Sequence, residues 1–120
     1  MPTIALYRPV GQKELDLIAA SGYRAFPPRL PEQPIFYPVL NREYAEQIAR
    51  DWNTKDERSG FAGYVLEFDV DSGYLAGFEV KKVGGTQHLE YWIPAEELEE
   101  FNRHIQGTIR IIGKYIRTAE

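Results

Sequence analysis

Apolar residues recur along this chain with two periods. Residues 11–21 carry Leu15, Ile18 and Ala19 at helical spacing, with Gly22 as a stop. After Asn41, a good helix N-cap, Tyr44, Ala45, Ile48, Ala49 and Trp52 form one apolar stripe and predict a second, core-facing helix. Alternating or branched runs predict strands at residues 4–8, stopped by Pro9, at 35–40, with Pro38 marking an edge or bulge, and at 64–70. After a turn at Asp71-Ser72-Gly73, the chain bends at residues 74–76 into a further strand that includes residues 78–80 and ends at Gly84-Gly85. Residues 89–93 predict another strand. His88, Glu90 and Trp92 fall on one face of it, with Leu89, Tyr91 and Ile93 on the other. Pro94 opens a late helix with Leu98, Phe101 and Ile105 inward, which Gly107 breaks. Residues 108–112 form a last strand, and 117–120 a frayed tail. Helices early and strands late predict an α+β domain, not a doubly wound parallel sheet.

Two stretches fit neither period. Pro27, Pro28, Pro31 and Pro34 impose an extended loop, pinned by Phe26, Leu30 and Ile35. Residues 53–60 are polar and predict a solvent loop. A length of 120 residues suits one domain, 1–120, with a modest core. The net charge of −4 argues against a general nucleic-acid binder, although Lys81, Lys82, Arg110, Lys114 and Arg117 allow a local basic patch. The absence of cysteine excludes disulfides, thiolate nucleophiles and cysteine–zinc sites. No apolar run approaches the roughly 18 residues of a membrane span, and no signal peptide is evident, so the expected setting is the bacterial cytoplasm with no membrane partner.

Few residues carry chemistry. Ser21, Ser59 and Ser72 lie in no nucleophile-elbow pattern. His88 and Glu90 would offer a metal two ligands with no third in view, so no metal is expected. Gly84-Gly85 precedes a strand and not a helix, unlike a phosphate loop. What remains is Arg8 ending the first strand, Tyr37 on the second and Glu90 on a late one. A cation can hold pyrophosphate or ribose, an aromatic can stack on a base, and a carboxylate can stabilise an oxocarbenium-like transition state. Those three suit a site that holds a dinucleotide and breaks an N-glycosidic bond.

Three segments carry a resemblance to the ADP-ribosyltransferase-like superfamily. Leu6-Tyr7-Arg8 resembles its first-strand motif. Phe36-Tyr37-Pro38, followed by Asn41, Ala45 and Ala49, resembles its second, and His88-Leu89-Glu90-Tyr91-Trp92-Ile93-Pro94 its third, in which the catalytic Glu sits on a strand ending in Ile-Pro. The resemblance implies a split β-sheet with two early helices and one late short helix. It implies NAD as substrate, Arg8 contacting NAD, Tyr37 flanking nicotinamide, Glu90 as the catalytic group, His88 at the acceptor-engaging position, and a protein acceptor. Pro9, Pro38 and His88 depart from the usual motif residues. They raise the second expectation, a non-catalytic nucleotide- or protein-binding module of the same fold. The chain also resembles small bacterial proteins labelled ADP-ribosylation/crystallin-like. That label belongs to a larger, all-helical hydrolase, which a short, strand-rich chain does not fit.

Overall fold

The computed structural model describes residues 2–82 and 88–116. In chain order the elements are β1 (Thr3–Val10), α1 (Gln12–Ala20), β2 (Ile35–Phe36), α2 (Arg42–Asp51), β3 (Ala62–Asp71), α3 (Ser72–Leu75), β4 (Val80–Lys82), β5 (Leu89–Tyr91), β6 (Ile93–Pro94), α4 (Leu98–Arg103) and β7 (Ile105–Ile116). The class is mixed α+β with antiparallel pairing throughout. β3 lies between β1 and β7, while β4 pairs with β5 and β2 with β6. The β4–β5 ribbon meets the three-stranded sheet through residue 39, which bridges Tyr7 on one side and Glu90 on the other. Four backbone bonds close that joint. Tyr7 and Val39 exchange two at 2.8 Å, Leu40 donates to the Leu89 carbonyl and Tyr91 to that of Pro38.

The sheet is covered on both sides, so alternate residues of each strand enter different cores. Leu6, Val10, Leu66 and Phe68 pack with Leu15 and Ile18 of α1 and with Phe26, Phe36, Tyr91 and Phe101. Val39 and Val65 pack on the opposite face with Ala45 and Ala49 of α2. The alanine spacing has a steric cause: a Cβ placed on Gly63 of β3 would stand 2.8 Å from the Ala49 Cα and closer still to its carbonyl oxygen. α2 lies almost on the backbone of β3. Asn41 caps this helix as expected, its side chain accepting from the Glu43 and Tyr44 amides at 2.8 and 3.3 Å.

Several local expectations are corrected. Pro9 does not end β1, which runs on to Val10. The Tyr7 amide faces Val39, away from β3, and Pro9 two residues on would point its missing N–H the same way, past that short contact. Trp52 is 67% exposed, because α2 ends at Asp51 and its stripe ends with it. Residues 53–60 form two tight turns, with Asn53 and Ser59 buried and bonded at 2.9 Å. Leu30 is 55% exposed and pins nothing. Phe26 anchors the proline-rich stretch as expected, buried and with its backbone exchanging two hydrogen bonds with the Asn102 side chain. Ser72–Leu75 is a helical turn where a β-turn and bend were expected. The run at 89–93 is two strands parted at Trp92, each with its own partner. Helix α4 stops at Arg103, Ile105 opens β7, and Gly107 sits at φ 75° within a strand whose register against β3 shifts there. A bulge, not a helix stop, is what this glycine allows. The expected end at Gly84-Gly85 and the tail at 117–120 lie outside the described residues.

Gly63→Ala is expected to destabilise the protein by about 1–3 kcal/mol through overpacking against Ala49. Trp52→Ala should change stability by less than about 0.5 kcal/mol, as exposed substitutions do. Urea unfolding of both variants checks the contrast.

Candidate functional site

Glu90 is 7% exposed, although β5 is a short strand near the sheet edge. Period-2 alternation sends its carboxylate toward α2, and both oxygens find donors. The Trp92 indole Nε1–H, two residues along the same face, donates to Oε1 at 2.7 Å. The Tyr44 hydroxyl, one turn into α2, donates to Oε2 at 3.4 Å. Burial first, and the Glu90 carboxylate beside it, push the Tyr44 phenol up, so this hydroxyl stays protonated and remains a donor at neutral pH. The cross-strand neighbour of Glu90 is Lys81, yet Lys81 pairs with Glu79 at 3.0 Å and lies 5.6 Å over the Trp92 ring. Among the described residues Glu90 makes no ion pair within 4.0 Å. It is a buried carboxylate oriented by two neutral donors.

Aromatic rings surround it. Tyr37 and Trp92 meet in a T-shaped arrangement at a centroid distance of 5.9 Å, and His88 stacks on Tyr44 at 4.4 Å. Tyr44 and His88 then form one wall of an open groove of about 350 Å³, completed by Glu43, Glu46, Gln47 and Arg50 along α2. His88, Glu90 and Trp92 thus share a face, as the alternation implies. Tyr37 joins them through Trp92.

Arg8 does not. It shares the opposite face with Leu6 and Val10, 8% exposed, and clamps Glu14 of α1 by two bonds, Nε to Oε2 at 2.7 Å and Nη2 to Oε1 at 3.0 Å. Its guanidinium lies 4.6 Å over the Phe36 ring. The sheet separates Arg8 from Glu90 because Tyr7, its chain neighbour, is the residue in register with Val39 and Glu90. A role for Arg8 beside Glu90 would require that register to slip by one residue.

Sequence reasoning missed Tyr44, which its spacing placed in the core and which is half-buried with its hydroxyl on Glu90. The signal available was its position three residues after the Asn41 cap, at the exposed start of the helix. It also missed Arg29 and Glu14, which meet only in three dimensions. Among the described residues no group of three His, Asp or Glu side chains could hold a metal ion.

Trp92→Phe strips the donor from one oxygen of a buried carboxylate and is expected to cost about 1–3 kcal/mol of stability. Tyr44→Phe removes a longer bond and should cost about 0.5–1.5 kcal/mol. Denaturant unfolding measures both, and the Trp92→Phe cost should shrink in a Glu90→Gln background if the bond is the cause.

No family model and no curated protein matches the chain.

Proposed function

We propose that this domain is an ADP-ribosyltransferase-like split-sheet protein that binds NAD as substrate and cleaves its nicotinamide N-glycosidic bond at Glu90. The observation that carries this reading is the carboxylate itself, buried, fixed by Trp92 and Tyr44, and with no ion pair within 4.0 Å among the described residues. Breaking the bond between the ribose C1′ and nicotinamide leaves positive charge on the ribose. A preorganised carboxylate stabilises that charge as it develops, without reorienting. Nicotinamide departs with the bonding electrons. Water, or a nucleophile on an acceptor protein, then adds at C1′ and loses a proton. The rings of Tyr37, Trp92 and Tyr44 suit the other half of the task, because the bound nicotinamide is itself a flat cation. His88, stacked on Tyr44 at the groove, stands where an acceptor would approach. Arg8 is left out of this site and serves the α1 face.

That separation is also the specific observation favouring a second reading, in which the same face binds a nucleotide or a protein partner without cleavage. An NAD anchor contributed by the first strand is then missing from the side where Glu90 lies.

Calorimetry with NAD and an assay for released nicotinamide separate the two. The first reading expects binding and release, with release falling by about 10²–10³-fold in Glu90→Gln, the scale of losing one electrostatic stabiliser. Binding without release in either protein would support the module, and absence of NAD binding would remove NAD from both.

A further inference from the structure

The proline-rich stretch delivers a second charged group that the Glu90 site does not use. Arg29 is 11% exposed in its side chain, and its Nε has no hydrogen-bond partner among the described residues. Its nearest carboxylate is Glu14, 3.9 Å from Nη1, a distance for charge attraction but not for a hydrogen bond. Both Glu14 oxygens accept from Arg8, at 2.7 and 3.0 Å, closer than Arg29 comes to either. The two guanidiniums share the Phe36 ring as well, Arg8 at 4.6 Å and Arg29 at 5.9 Å. Burial, followed by the proximity of Arg8, pulls the Arg29 pKa down, while an arginine stays charged at any ordinary pH.

Among the described residues the local count is therefore two guanidiniums against one carboxylate, which holds Arg8 by two hydrogen bonds and Arg29 only at 3.9 Å. Such charges are normally paired, because leaving water without a partner is costly. The backbone offers Arg29 little freedom to turn away. Pro27, Pro28 and Pro31 restrict it, and the Gln33 amide closes a turn on the Leu30 carbonyl at 2.8 Å. Tyr37, the residue after Phe36, is 38% exposed and presents an aromatic ring to solvent.

We propose that Arg29, backed by Arg8 and Glu14, is a binding site for a small carboxylate ligand with a flat or apolar body. One excess positive charge matches a carboxylate, which carries one negative charge at neutral pH, better than a phosphate monoester, which carries nearly two. A guanidinium offers a carboxylate two parallel N–H donors, as Arg8 already does for Glu14. The body of the ligand lies on the exposed Tyr37 ring, which this site shares with the rings around Glu90. Its charged groups are separate from Glu90, on the side of the sheet where Arg8 lies.

Benzoate is the probe, followed through the Arg29 Nε–H resonance of the full chain by NMR. The expected result is a saturable shift with benzoate that chloride at equal ionic strength does not reproduce. Glu90→Gln should retain the response, and Arg29→Gln, which lacks the reporting N–H and is compared with the wild type by calorimetry, should weaken benzoate binding by about ten- to a hundredfold, the loss of a charge-assisted hydrogen bond. A non-saturable shift in the wild-type protein, an equal response to chloride, or saturation by dimethyl phosphate but not by benzoate would overturn the proposal. So would benzoate binding that persists undiminished in Arg29→Gln. The wild-type titration decides on its own if that variant does not fold.

Discussion

One row of cross-strand neighbours runs through the whole sheet: Lys81, Glu90, Val39, Tyr7, Glu67 and Arg110. Directly opposed residues of antiparallel strands project to the same side, so the register of this row decides which side chains meet α2. Its middle is one residue wide. Val39 joins a three-stranded sheet to a two-stranded ribbon, buried to 2% between Ala45 and Ala49 of the helix. The far half of the row is internally balanced, with Arg110 on Glu67 at 3.0 Å and Tyr7, its phenol pushed up by burial and by Glu67, next to them. The near half is not balanced in this way, because Lys81 turns to Glu79 and leaves Glu90 to neutral donors.

A sheet buried on both sides makes that parity consequential. Were one side open to water, a charged residue on it would need no partner. Here Arg8 and Glu90 both lie under cover and each must be satisfied where it falls. Arg8 is satisfied by α1 through Glu14, and Glu90 by Trp92 and by α2 through Tyr44. The close approach of Ala49 to Gly63 sets how far α2 stands from the strands, and so brings the Tyr44 hydroxyl within reach of Glu90. Packing of the smallest residues in the domain thereby positions its most distinctive polar group.

Period alone made much of this legible. The alternation of residues 88–92 placed Glu90 and Trp92 on one face, and the Asn41 cap placed the start of α2. What a single strand's pattern does not contain is the register between strands distant in the chain. Arg8 and Tyr7 are equally plausible partners for Glu90 until Val39 is known to bridge Tyr7. The same holds for Gly107, which punctuates a helix or a bulged strand equally well, and for Trp52, apolar at the right spacing but one residue past the helix end. Arg29 carries no signal in the sequence at all, because its significance depends on Arg8 having claimed Glu14.

The two polar clusters are complementary in charge and opposite in design. At Glu90 the protein orients a carboxylate with an indole N–H and a phenol, so no bonded cation among the described residues neutralises it. An arginine in the place of Trp92 would hold the carboxylate as firmly and neutralise it, which is the difference between a structural ion pair and a group available to a cation. At Arg8 and Arg29 the protein does the reverse, neutralising one guanidinium and leaving the other in excess over Phe36. Tyr37 stands between the two arrangements, in a T-shaped contact with Trp92 and next in the chain to Phe36, over which both guanidiniums lie. A substitution there should therefore be felt at both clusters, while Glu90 and Arg29 substitutions each act on one side of the sheet.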